Sequence, residues 1–243
     1  MRNIACIAAL VTILLSCGKE NTFSTNFGTS AFINASMGTP PISIFDDTVR
    51  KNGGAIGAGG WSNYLSFTPG TRVTNVRRED SAFLLATQNF EYAVGRANTV
   101  IVYDTLTVGA NNSLRGTLRL MRLTDDLTLP AAGRSHVRLV HAAQNAPAVD
   151  VTLVRTSATP LDSVTITNRS YIGSNPTEAT VTASSTFTSI PAGNYSIRIK
   201  LAGTQTLARN PQAVTIANGG LYTLVAVGTA RNIALQAVSF RNL

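Results

Sequence analysis

Val137-Arg-Leu-Val-His-Ala-Ala-Gln-Asn-Ala-Pro-Ala-Val-Asp-Val-Thr-Leu-Val154 is the stretch whose reading decides the fold class. It opens on a β-branched run, passes through small residues, breaks at Pro147 and resumes at Val149–Val154 with apolar and polar residues alternating. A period of two places every second side chain on one face of a strand, which suits one dry and one wet face. Working outward, similar runs are Ala31–Asn34, Ile42–Phe45, Thr99–Tyr103, Tyr195–Ile199 and Tyr222–Val227. Beyond the first twenty residues, no segment holds a helical period over ten or more positions. Many short strands punctuated by Gly, Pro and Asn predict an all-β chain of sandwiches rather than a parallel sheet.

The chain also repeats itself. Ala31–Phe45 aligns with Arg138–Thr152, with His141 standing 107 positions after Asn34. Thr68-Pro-Gly-Thr-Arg-Val73 aligns with Ile190-Pro-Ala-Gly-Asn-Tyr195, Thr99–Thr105 with Thr223–Thr229, and Leu118–Leu123 with Ile233–Val238. Four landmarks in one order indicate a duplication. The second copy is longer between its second strand and its Pro-Ala-Gly turn, over Thr156–Ser189. Asp125–Ser135, with Pro130 and Gly133, forms the boundary, and so short a link predicts halves that touch or are semi-rigidly placed. The expected organisation is a signal peptide at 1–16, a lipidated cysteine and flexible tether at 17–29, a first sandwich at 30–130 and a second at 131–243.

The first residues indicate an address. Arg2 precedes an apolar run from Ile4 to Leu15, and Leu14-Leu-Ser-Cys17 closes it, the pattern of a secretory signal. The cysteine after a small residue resembles the lipobox of bacterial lipoproteins, which implies acylation of Cys17 and cleavage before it. Cys6 and Cys17 are the only cysteines, so the processed fold would carry no disulfide and no thiolate metal site. No Asp follows Cys17, which favours the outer membrane or cell surface. The net charge of +8 comes mostly from arginine, and alternations such as Ile197-Arg-Ile-Lys200 and Leu118-Arg-Leu120 place arginines on wet faces. No nucleic-acid partner is expected.

The second copy resembles the domain of unknown function 4397 family, found in secreted and lipid-anchored bacterial proteins. The residues that carry the likeness are Val137–Val151, Ile190-Pro-Ala-Gly-Asn-Tyr-Ser-Ile-Arg198 and Leu221–Gly228. The first copy is more degenerate, with Asn34 in place of His141 and Ser43 in place of Asp150. A tandem arrangement behind a lipobox is similar to lipoproteins of the Bacteroidota. The resemblance implies two tandem immunoglobulin-like β-sandwiches on the cell surface and brings no known activity.

Residues able to carry chemistry are few. His141 and Asp150 fall on successive strands of an expected hairpin and are read as a structural polar pair, or as His141 bonding backbone. No nucleophile elbow, metal-ligand spacing or calcium loop accompanies them, and no cofactor is expected. Asp125-Asp126 reads as a turn. Gly53–Gly60 lacks the ending of a phosphate loop and reads as a flexible loop before Trp61. Trp61 and Tyr64, with Arg72, Arg77 and Arg78 beyond the Pro69-Gly70 turn, form a candidate ligand contact, with core packing of Trp61 as the alternative. Thr48, Ser81, Thr105 and Ser163 each follow an Asp and precede a small or aliphatic residue, which resembles the O-glycosylation sequon of Bacteroidota and equally suits β-turn starts. The function expected is a non-enzymatic, lipid-anchored envelope binding, structural or adhesion module, with a glycan or surface protein as partner. A carbohydrate-binding accessory lipoprotein is the alternative, and a hydrolase the last.

Overall fold

The computed structural model describes residues 26–81, 83–104, 106–108, 114–158, 162–229 and 232–241; Cys17, the signal and Thr105 lie outside them. The first half contains β1 (Gly28–Asn34), β2 (Ile42–Asp46), β3 (Val49–Arg50), β4 (Leu65–Phe67), β5 (Gly70–Arg78), β6 (Leu84–Tyr92), β7 (Ala97–Tyr103), β8 (Leu106–Val108), β9 (Leu114–Gly116) and β10 (Arg119–Thr124). The second contains β11 (Arg134–His141), β12 (Val149–Arg155), β13 (Asp162–Arg169), α1 (Glu178–Ser185), β14 (Thr188–Pro191), β15 (Gly193–Leu201), β16 (Leu207–Ile216), β17 (Leu221–Thr229) and β18 (Asn232–Arg241).

The two halves of the chain pair their strands in corresponding order. The first half pairs as β10-β7-β1-β4 and β3-β2-β5-β6, and the second as β18-β17-β11-β14 and β13-β12-β15-β16. Each half has one parallel pair, β1 with β7 and β11 with β17. Asn34 faces Val102 in the first, and His141 faces Ala226 in the second, which are the positions the aligned landmarks demand. The β10–β7 and β17–β18 registers agree in the same way: Leu120 faces Val102, and Leu235 faces Ala226. One landmark needs correcting. By register, Tyr195 opposite Arg155 corresponds to Arg72 rather than Val73, because Ala192 is an extra residue before Gly193. A slip of one residue exchanges the faces of a strand.

Three apolar cores alternate with the four sheets. Phe32, Val100, Val102 and Leu120 on β1, β7 and β10 pack against Ile42, Ile44, Val76 and Phe90 on β2, β5 and β6. Val137, Leu139, Leu224 and Ala226 on β11 and β17 pack against Val149, Val151, Ile197 and Ile199 on β12 and β15. The intervening residues of the same strands, Ile33, Ile101, Tyr103, Met121 and Leu123, meet Val140, Val225 and Val227 in a third core. The two halves are therefore stacked, with β10-β7-β1-β4 against β18-β17-β11-β14. The central strands of these inner sheets are dry on both faces: β1 and β7 are buried at every position and β17 at its first seven.

The long segment of the second copy holds β13 and α1. Thr177 caps α1, its hydroxyl accepting from Thr180 N at 3.2 Å, and Glu178 favours the first turn. The helix lies across β10 and β11, and its Val181 packs on the third core. The β8–β9 hairpin is an addition peculiar to the first half.

Candidate functional site

The stacked sheets place a charged cluster at one end of the third core. On the facing surfaces, every second residue of β7 and β11 points into the junction, which brings Thr99 and Arg138 to the edge of the apolar patch. Arg138 and Asp125 are both fully buried, and Nη1 of the first lies 2.7 Å from Oδ1 of the second. Asp125 Oδ2 accepts from Tyr64 Oη at 2.6 Å and from Thr99 Oγ1 at 2.7 Å. Arg138 Nε donates to Thr223 Oγ1 at 2.9 Å and Nη2 to Thr99 Oγ1 at 2.8 Å. The Phe187 ring covers the guanidinium, with its centroid 4.6 Å from Cζ. Burial pushes the Tyr64 hydroxyl far above its usual range, and the neighbouring Asp125 charge pushes it further, so it remains a donor. Buried charges persist when paired and hydrogen-bonded, and here the partners come from both halves.

Beside this cluster lies an open cleft of about 610 Å3, lined by the β6–β7 turn, the segment 124–128, His136 on β11 and the end of α1 with the two residues after it. Asp126 Oδ1 accepts from Thr128 N at 2.9 Å. Hydrogen bonds from Thr128 hold the Asp126 carboxyl below its ordinary value, and His136 acts in the same direction. The opposite end of the junction is closed by Tyr103, whose hydroxyl donates to Gly173 O at 3.0 Å, and by Arg119, paired with Asp104 at 2.9 Å. Burial raises the Tyr103 and Tyr171 hydroxyls there to about 12.

The residues singled out in the sequence have other places. His141 and Asp150 are not partners, because β11 and β12 belong to different sheets and form no hairpin. His141 Nδ1 accepts from Ala143 N at 3.3 Å, which leaves Nε2 as donor to Pro147 O at 3.1 Å. Desolvation holds this imidazole below its ordinary value. Asn34 does the same work in the first half, its Oδ1 accepting from Ser36 N and its Nδ2 donating to Ile56 O, both at 3.2 Å. Asp150 accepts from Asn168 N and Gly203 N, and these amides hold its carboxyl low.

Trp61, Tyr64 and the three arginines do not converge. Trp61 bridges to Ile33 and belongs with the inner sheet, as does the segment leading to β4, whereas β5 carries Arg72, Arg77 and Arg78 on the outer sheet. Trp61 is 45% exposed, so it is not a core residue. Arg72 binds Asp46 at 2.9 Å, Arg78 binds Asp80 at 2.6 Å, and Arg77 lies over Phe45. The glycine segment is zipped to its neighbours rather than loose: Ile42 and Ile56 exchange backbone bonds, as do Asn34 and Gly59–Gly60. A Cβ at Gly60 would come 3.0 Å from Gly57 O, so a side chain there would crowd this turn. Thr48, Ser81 and Ser163 are exposed, at turns or at a strand start. Asp125 is a buried counter-ion and not a turn residue of the surface. The sequence signal for the cluster is Arg138 itself, a lone charge within Val137-Arg-Leu-Val140, a run buried at all four positions.

The family described as a domain of unknown function, DUF4397, matches residues 29–152, just over half of the chain. The matched stretch runs from β1 into β12, so it covers the half read from sequence as the more degenerate copy. Asn34 and His141, filling one role in equivalent registers, explain why that departure does not disturb the fold. The solved structure of the Bacillus anthracis TIE protein aligns over 84% of this chain and 34% of that one, with 12% identity and a TM-score of 0.24. The chain thus spans about a third of that protein's length. No curated protein matches. On the match over residues 29–152, the chain belongs to the DUF4397 family.

Proposed function

We propose that this chain is a lipid-anchored, non-enzymatic module of the bacterial cell envelope, of the Bacteroidota type, exported by its N-terminal signal and held at the outer membrane or cell surface through Cys17. It offers a binding surface to an envelope glycan or a surface protein. The observation that carries this reading is the third core with its buried Arg138–Asp125 pair, to which both halves of the chain contribute, and which we read as holding two sandwiches in one stiff body. A stiff body fixes the distance and direction of a surface relative to its anchor. The acid–base groups serve the fold: both His141 ring nitrogens engage backbone, and Asp150 serves two amides. A hydrolase would need that imidazole free to take a proton from a nucleophile. The cleft beside the junction favours the carbohydrate-binding reading as the second.

Membrane fractionation of the native host tests the anchoring. Wild type should sediment with membranes and carry acyl mass, and Cys17→Ser should become soluble or keep its signal. Membrane association without lipid in the wild type would overturn it. The exposed Thr48, Ser81 and Ser163, with Thr105, also serve a glycosylated surface. Intact native mass should exceed peptide plus lipid, and the fourfold Ala variant should lose the excess; equality in the wild type would end that reading.

A further inference from the structure

The cleft lies where the chain enters the fold. Gly95 N donates to Phe27 O at 3.1 Å and Thr29 N to Arg96 O at 2.9 Å, so the first described residues run past its rim. Its lining differs in kind from the sealed cluster behind it. Arg96 is exposed, and its guanidinium has no partner among the described residues. His136 is half-buried, and neither ring nitrogen is hydrogen-bonded among the described residues. Asp126 is exposed and ionised, and Phe187 is half-buried with its ring 6.3 Å from that of His136. Arg138, by contrast, is neutralised by Asp125 and adds no demand for an anion.

We propose that this cleft binds a saccharide unit bearing a carboxylate. An unpaired guanidinium takes a carboxylate through two parallel hydrogen bonds. A carboxylate acceptor and a free imidazole suit ring hydroxyls, which both donate and accept. The exposed part of Phe187 offers an apolar surface to sugar C–H groups. The volume lies within the range of about 300–1,000 Å3 common to small-molecule sites. The inference deepens the binding-module reading above and rests on it, since it names the ligand class and the residues that hold it.

Calorimetric titration of the full-length protein in mild detergent tests the site, with tetragalacturonate, maltotetraose, acetate and inorganic phosphate as probes. Tetragalacturonate should bind, and each of the other three should bind at least about tenfold more weakly: maltotetraose because it lacks the charge-assisted bidentate bond, acetate and phosphate because they lack the ring hydroxyls and the apolar sugar face. Arg96→Ala should weaken tetragalacturonate about tenfold, with Arg96→Lys recovering only part because the fork geometry is lost. Asp126→Asn should weaken it severalfold, and Arg198→Ala on the outer sheet should leave it unchanged. No binding of tetragalacturonate, equal binding of acetate or phosphate, or full binding by Arg96→Ala would overturn the site. Equal binding of maltotetraose would overturn the carboxylate requirement. Fractionation of the same variants reads anchoring separately, so either conclusion can fail while the other stands.

Discussion

β17, on an inner sheet, is buried at its first seven positions, whereas β15, on the outer sheet beside it, alternates between buried and accessible residues. Both are nine-residue strands of the same half, each with an antiparallel neighbour in β16 or β18, and they differ in what covers their second face. For β15 that face is solvent, so Arg198 and Lys200 alternate with Ile197 and Ile199. For β17 it is the other half of the molecule, so Val225 and Val227 replace polar residues. Two sheets can stack across a shared core when each gives up its wet face.

Breaking the junction at its charge should have the largest effect. Arg138→Ala leaves Asp125 buried without its cation and should destabilise by about 3–5 kcal/mol, read by urea unfolding. Ile101→Ala, in the third core, should cost about 2–5 kcal/mol. An effect below 1 kcal/mol for either would mean that the halves are merely adjacent. Tyr64→Phe removes one hydrogen bond to a buried carboxylate and should cost about 1.5–3 kcal/mol, against no change in the ion pair.

The two clamps sharpen the comparison through pH. Burial holds the His141 imidazole below its ordinary 6.5, so the unfolded chain binds the proton first. Its neutral form contributes fully above that value, and the contribution falls as pH drops from 6.5 towards the folded value. His141→Asn, which copies Asn34, should therefore lose less stability than wild type between pH 7 and pH 5. Equal loss would show that His141 does not titrate on unfolding. On the wet face, Thr152→Ala should stay within about 0.5 kcal/mol of wild type.

Much of the fold was legible. The strands and three of the four landmarks follow from β-branched runs and turn residues, because local pattern and pairing agree; the parallel pairs β1–β7 and β11–β17 do not, since side-chain alternation carries no strand direction. The one-residue slip at Ala192 was not, since only the strand partners show which residue of the turn is extra. α1 escaped because it has eight residues, two of them threonine, too short for a helical period; Thr177 and Glu178 were its signal. The stacking was written in Thr99-Val-Ile-Val-Tyr103, where alternation disappears as it does in strands covered on both faces. The candidate site was less legible. Its residues come from the turn at Arg96, the segment at Asp126, a strand and a helix end, and no spacing links them. The expected cluster of Trp61 with three arginines failed because the chain changes sheets at Thr68-Pro69.

The central claim is that both halves form one cooperative body. Differential scanning calorimetry of the full chain measures it directly. A single transition whose van't Hoff and calorimetric enthalpies agree is the result this account predicts. Two separable transitions, with one half melting while the other stays folded, would contradict it.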